Sequence, residues 1–311
     1  MLTTLRKRER KLMKRDTAEN IQYYLMMAVP LILIFIFMYL PMFGLVIAFQ
    51  DYVPGKSFFG SDVKWVGLKW FKDFVGTYYF KRIIRNTLRL NLMGLVFGFS
   101  APILFALVLN EVRLTKYKKI AQTVSYMPHF LSTVVIVGML NRMIASDGII
   151  TRILTFIGVE ARSVNDNVEA FPWIFTIVSV WQGFGWGSIL YLSTMTAIDP
   201  GLHEAAQIDG AGRIKRIWYV NIPELMPLIT IQLIMSIGGL LGANTELILL
   251  MYNSATYESA DVLGTYIYRE SLMKGSYSYG TACGLLLGIF GFLLTWLANA
   301  ICRKTTDWAL W

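Results

Sequence analysis

The chain is poor in the residues that site chemistry uses most. Its 311 residues include two cysteines and two histidines, and only 16% are Asp, Glu, Lys or Arg. A soluble domain carries roughly 25% charge, so an ordinary water-soluble globule is not expected. His129 and His203 are far apart and no Cys/His cluster accompanies them, so no metal site is expected. Cys283 and Cys302 lie 19 residues apart on one expected helix. At 1.5 Å per residue that is about 28 Å, beyond disulfide reach, which leaves them as packing residues. No G-x-x-x-x-G-K-[ST] run exists, so ATP is not held by a P-loop of this chain. Gly210-Ala211-Gly212 continues as Arg-Ile-Lys and makes no dinucleotide site. No Ser/His/Asp arrangement is readable, and catalysis by this chain is not expected. The net charge of +9 comes without any nucleic-acid motif and points to lipid headgroups and orientation instead.

What is abundant is apolar length. Hydrophobic residues make up 55% of the chain, and several runs reach the ~20 residues that cross a bilayer. The reading is an all-α polytopic membrane protein with six spans, at about 23–49, 86–110, 122–143, 171–198, 225–252 and 279–301. A basic segment, 1–22, precedes a transmembrane domain over 23–302, and a short tail, 303–311, follows. The first apolar run is too long for a signal-peptide core, and Pro30 and Pro41 are expected kinks in it. Asp147-Gly148 reads as a turn after the third span. With the segments 1–22, 111–121, 199–224 and 302–311 inside, the inside carries 16 Lys and Arg against 11 outside. The positive-inside rule then places both termini in the cytoplasm.

Between the fourth and fifth runs lies a short polar stretch, 199–224. Asp199 can cap a helix whose first residue is Pro200. Ala205 and Ala206 make a flat patch with Glu204 and Asp209 beside it. Gly210 and Gly212 stop the helix, with Arg213, Lys215 and Arg216 past its end, where the dipole favours cations. Such a segment suits a surface helix that docks into a partner's groove, or an ordinary amphipathic loop helix.

The same residues resemble a family signature. Permeases of ABC importers carry a cytoplasmic loop of the form Glu-Ala-Ala, three residues, Gly, nine residues, Ile-x-Leu-Pro. Here Glu204, Ala205, Ala206 and Gly210 match, and after nine residues comes Val220-Asn221-Ile222-Pro223, with two aliphatic exchanges. Further pieces are similar to the carbohydrate-type permeases: Tyr126-Met127-Pro128-His129-Phe130, Tyr252-Asn253, Ala260-Asp261-Val262, Thr265-Tyr266-Ile267-Tyr268-Arg269, Tyr277-Ser278-Tyr279 and Ala298-Asn299. The resemblance spans nearly the whole chain. It implies a bacterial cytoplasmic-membrane location and pairing with a second permease subunit. It also implies two ATPase subunits that bind ATP and Mg, and an extracytoplasmic binding protein that delivers an oligosaccharide. The Glu204–Gly210 helix is the implied coupling element, and this chain itself is implied to bind no cofactor.

Candidates for a substrate path come from the residues. Glu246 lies well inside the expected fifth span beside Asn244, where a charge is costly. It either lines the path or is a carboxylate wetted near the outer end. Trp181, Gln182 and Trp186 combine aromatic faces with an amide, as sugar recognition requires, and Gln182 and Trp186 share a helix face. They also suit plain packing. Tyr252, Asn253, Tyr257, Tyr266 and Tyr268 are either a wall at the outer mouth or an interfacial belt. Rival classes are a permease for a non-sugar solute, a lipid-linked-sugar enzyme lacking visible paired carboxylates, and a stand-alone secondary transporter using Glu246.

Overall fold

The computed structural model describes residues 20–60, 62–158, 164–242, 244–306 and 308–311. The basic run expected over 1–22 therefore lies outside the described residues up to position 19. Among the described residues the chain is helical, with one isolated bridge between Gln50 and Trp65 and no extended sheet. Six helices among the described residues are long and apolar enough to span a membrane: Asn20–Phe49, Phe80–Asn110, Thr133–Phe156, Phe171–Thr196, Arg213–Gly238 and Tyr277–Thr305.

Their boundaries correct two expectations. The third apolar run is not one helix from 122 to 143. A helix over Thr115–Tyr126 tightens into a 3-10 turn, Met127–Phe130, around Pro128. Ser132 then caps a fresh helix by accepting from the Val135 N–H. Proline has no N–H to continue the ladder and a serine hydroxyl starts a new one. The third span is Thr133–Phe156, turned at 145–148 by the expected Asp147-Gly148 pair. The fifth run also breaks. Its helix stops at Gly238, and after a turn a separate helix, Thr245–Met251, begins with Asn244 as its cap. In the first span a π turn, Phe35–Tyr39, and a 3-10 segment, Leu40–Phe49, surround Pro41, while helix continues through Pro30.

The first span is almost wholly uncovered by the rest of the chain, so its apolar side chains meet lipid or another subunit. The other five form the packed body. Lipid is as apolar as leucine, so spans associate through close backbone approach rather than a hydrophobic drive. The fourth span shows this: Gly185 lies against the Ser125 carbonyl with no room for a side chain, and Gly187 faces the Pro102 ring. One buried cluster joins Leu90, Val137, Phe175, Leu247 and Ile248; a second joins Ala106, Leu109, Tyr191, Met195 and Leu225 near the other end. A third, around Phe74, Ile83, Leu263, Tyr266 and Cys283, binds the sixth span to the start of the second.

The two ends of the bundle differ. One carries the long segments 50–79 and 252–276, and is called here the broad-loop end. Its first segment is ordered by buried Gln50, which donates to the Phe58 carbonyl and accepts, through its own carbonyl, the Trp70 indole N–H at 2.8 Å. The opposite, short-loop end carries 111–114 and 197–212.

Candidate functional site

At the short-loop end the 199–212 segment folds as its residues dictate. Asp199 accepts the Gly201 N–H at 2.9 Å, and Pro200 opens a helix that runs to Ile208. The Ala211 N–H then returns to the Ala206 carbonyl at 2.8 Å and the Gly210 N–H to Gln207 at 3.0 Å. This paired closure requires a left-handed residue, and Gly210 supplies it at φ +77°. Glu204, Ala205, Asp209, Gly210 and Gly212 are exposed, Ile208 is 86% exposed, and Ala206 packs inward on the second cluster. Glu204 and Ala205 thus form a free face on a helix anchored at both ends.

The cations after it are placed differently from expectation. Arg213 begins the fifth-span helix, with Gly212 as its cap, so Arg213, Lys215 and Arg216 sit at a helix start, where the dipole disfavours them. Arg216 is compensated by Glu111 at 3.8 Å. Pro223 lies inside the same helix, just after a π turn, Ile217–Asn221. It cannot donate to the carbonyl four residues earlier, and a π turn absorbs that loss. Asn221 is fully buried there, and neither its amide N nor its O has a partner among the described residues.

The residues expected to line a path do not converge. The Gln182 amide donates to the Leu131 carbonyl at 3.4 Å, across the break in the third run. Trp186 stacks on His129 at 4.6 Å with Phe130 edge-on. Trp181 borders an apolar cavity of about 230 Å³ with Met139, Met143 and Ile177. Glu246 is exposed in the first turn of Thr245–Met251, outside the fifth span, and Asn244 spends its side-chain oxygen on the Leu247 N–H. Asn253 donates to Asp166 and accepts from Ala255 and Thr256, so it builds a turn. Tyr252 lies 5.5 Å from Tyr257.

A different polar site lies within the spans. A cavity of about 350 Å³ opens between the second, fourth and fifth, lined by Asn91, Gly94, Gly98, Gly187, Tyr191, Gln232 and Ser236 among others. Glycines hollow it, and amides and hydroxyls line it. The Asn91 amide donates to the Thr87 carbonyl and the Ser236 hydroxyl to the Gln232 carbonyl. The Gln232 side-chain amide and Tyr191 hydroxyl have no hydrogen-bond partner among the described residues. Polar groups at membrane depth are costly without partners, so this space favours water or a hydroxylated ligand. The sequence signal was there: Asn91 with glycines at 94 and 98, and Gln232 four residues before Ser236.

At the broad-loop end one carboxylate organises a second polar centre. Asp261 is fully buried and receives Arg82 at 3.3 Å, Arg269 through two bonds of 3.1 and 3.2 Å, and the Thr265 hydroxyl at 2.9 Å. Asn86 donates to the Glu258 and Asp261 carbonyls, and Thr87 Oγ1 accepts the Leu263 N–H. The Tyr257 ring lies 5.0 Å from the Arg269 guanidinium and 5.6 Å from that of Arg82. Burial and then the Asp261 charge push the Tyr257 phenol up to about 12. For Arg269, burial works against its charge, but the bonds to Asp261 outweigh it and hold the guanidinium more firmly protonated.

Residues 98–307 match the family described as the binding-protein-dependent transport system inner membrane component. The chain belongs to this family. It is 38% identical over 300 residues to the polygalacturonan/rhamnogalacturonan transport system permease protein YteP of Bacillus subtilis (strain 168), covering 96% of this chain and 93% of that one. Protein LplB of the same organism is 39% identical over 282 residues, 90% of this chain and 88% of LplB. Among solved structures, a chain of a bacterial alginate ABC transporter, in complex with its alginate pentasaccharide-bound periplasmic protein, superposes with a TM-score of 0.85 at 34% identity. That match covers 95% of this chain and 99% of the other. The protein is thus a multi-pass membrane permease of the sugar ABC transport family, and the six-span all-α fold read from the sequence holds.

Proposed function

We propose that this permease is one of two membrane subunits of an ATP-driven, binding-protein-dependent importer of oligosaccharides. The observation that carries the reading is the Pro200–Ile208 helix, pinned at both ends and bare on its Glu204–Ala205 face. A rigid, exposed helix is what a force-transmitting contact requires, since it moves the spans only if its docking differs between two states of the partner. Two ATPase subunits holding ATP and Mg would receive it and its counterpart on a second permease. The short-loop end, with both termini, then faces the cytoplasm, and the broad-loop end receives an extracytoplasmic binding protein. Cargo passes through the cavity at Asn91, Tyr191 and Gln232, whose unspent amide and hydroxyl groups suit a polyol. The related permease YteP serves polygalacturonan/rhamnogalacturonan transport, and the solved transporter imports the acidic polysaccharide alginate, which favours oligomeric carbohydrate over other cargo.

The test is gentle extraction of the chain from its own membrane and mass spectrometry of what co-purifies. A second permease and an ATPase are expected, with ATP-dependent oligosaccharide uptake in liposomes. Recovery of this chain alone, active without ATP, would overturn the proposal.

A further inference from the structure

We propose that the recess at the head of the second span binds the carboxylate of an acidic sugar as it enters the transporter; this rests on the importer reading above. The second span has 31 residues, about 46 Å at 1.5 Å per residue, against a hydrocarbon core of about 30 Å. Its first turns, at the broad-loop end, hold all of the helix's cations, so the excess length is assigned to them. They carry Lys81, Arg85 and Arg89 at successive i, i+4 positions, one side of the helix. All three are exposed, and none forms an ion pair among the described residues. Cations on a spanning helix face water or a partner rather than lipid tails.

The place is a shaped recess. A cavity of about 530 Å³ is lined by Tyr78, Tyr79, Lys81, Arg82, Arg85 and Glu258, within the roughly 300–1,000 Å³ of small-molecule sites. Its floor is preset: Arg82 is held by buried Asp261 and lies 4.9 Å from the Tyr79 ring, and Asn86 fixes the main chain of Glu258. Asp261 is shared between Arg82 and Arg269, so the recess keeps a net positive charge even with Glu258 in its lining, and Lys81 and Arg85 are its exposed cations. A guanidinium matches a carboxylate through paired hydrogen bonds. The tyrosines offer flat faces to sugar C–H bonds, and the exposed Glu258 in the lining is an acceptor for sugar hydroxyls. That combination fits a uronate residue better than a bare anion. The same helix lines the membrane cavity lower down, at Asn91 and Gly94, so the recess lies ahead of it on the inward route.

The test uses the complete co-purified complex in liposomes, with trigalacturonate and its fully methyl-esterified form as paired probes that differ in the charge and the added methyl of each carboxyl group. The double variant Lys81→Gln/Arg85→Gln touches exposed side chains and leaves Arg82 and Asp261 in place. The half-saturating concentration of trigalacturonate for uptake is expected to rise about tenfold or more, with the ester unchanged. An equal change for both sugars, as a docking face for the binding protein would give, or no change, would overturn the proposal. So would an effect present with anionic lipid and lost in pure phosphatidylcholine, which would assign the recess to a headgroup. Wild-type uptake of the ester alone, or of neither probe, would sink this inference and leave the importer reading to the co-purification test above.

Discussion

Asp261 and Arg269 meet through two hydrogen bonds of 3.1 and 3.2 Å, one to each carboxylate oxygen, with the carboxylate wholly removed from solvent. The same carboxylate holds Arg82, 179 residues away in sequence, so it ties the 252–276 segment to the head of the second span. Removing one member of such a buried group strands the others, at a cost of about 3–5 kcal/mol. Asp261→Ala should therefore lower the thermal unfolding midpoint of the purified complex markedly. Lys64→Ala, which breaks only the exposed pair with Asp51, should leave it nearly unchanged, as surface pairs do. Equal midpoints for the two variants would show that Asp261 does not organise this end.

The turn after the Pro200–Ile208 helix makes a local prediction. Gly210 has φ +77° whereas Gly212 has φ −67°. A side chain at the first position costs about 1–2 kcal/mol of left-handed strain, and at the second it meets open space. Gly210→Ala should loosen the end of the Pro200–Ile208 helix and reduce stimulation of ATP hydrolysis by the loaded binding protein. Gly212→Ala should reduce it much less. Steady-state ATPase assays on the reconstituted complex decide it; an equal effect of both refutes the strain argument.

Glu204→Arg reverses the charge on the exposed face while leaving the Asp199 cap and the Gly210 closure untouched. The variant should fold and assemble, hydrolyse ATP, and import little. Normal uptake would remove this helix from the coupling pathway.

What was legible in the sequence was local. Asp199, Pro200 and Gly210 lie within 12 residues and each acts on its own backbone, so the helix and its ends could be read directly. Six spans were legible too, because length and apolarity alone define them. The end of the fifth span was not. Leu240 and Leu241 follow the helix end at Gly238, and a second apolar run resumes at Leu247 after the short interruption over 242–246, so hydropathy alone reads through the break. The break lies in backbone signals, the glycines at 238, 239 and 242 and the cap at Asn244, and Glu246 was placed too deep in consequence. Gln182 and Trp186 were correctly put on one helix face, but their partners, Leu131 and His129, come from another run. The Asp261 centre and the membrane cavity depend on contacts between distant segments, which no spacing rule reaches.

The Tyr257 phenol gives a pH prediction. Its ordinary value is 10.0, and burial with the nearby Asp261 charge raises it to about 12 in the folded chain. Between those values the folded state holds a proton that the unfolded state releases, so stability falls as pH rises from about 10 through about 12. Tyr257→Phe should flatten that part of the stability profile. The difference in phenolate absorbance between wild type and variant should appear only near pH 12. A difference already complete at the ordinary tyrosine value would contradict the burial of this ring between two arginines.

Asn221 raises the last question, because it is a fully buried amide with neither atom partnered among the described residues. It ends the π turn Ile217–Asn221, two residues before Pro223. A buried amide without partners costs about 1–3 kcal/mol per unpaired group, and π turns often mark working positions. If the amide finds its partners only when the proposed coupling helix, Pro200–Ile208, is displaced, the arrangement described here is held at a disadvantage that favours movement. Asn221→Leu, of similar volume, should then stabilise the resting complex, with a higher unfolding midpoint, and slow ATP-dependent uptake. Asn221→Asp should also slow uptake, since it would bury a carboxylate where the amide already has no partner among the described residues. A lowered midpoint for Asn221→Leu would mean that the amide is satisfied at rest, and the strained-turn account would fall.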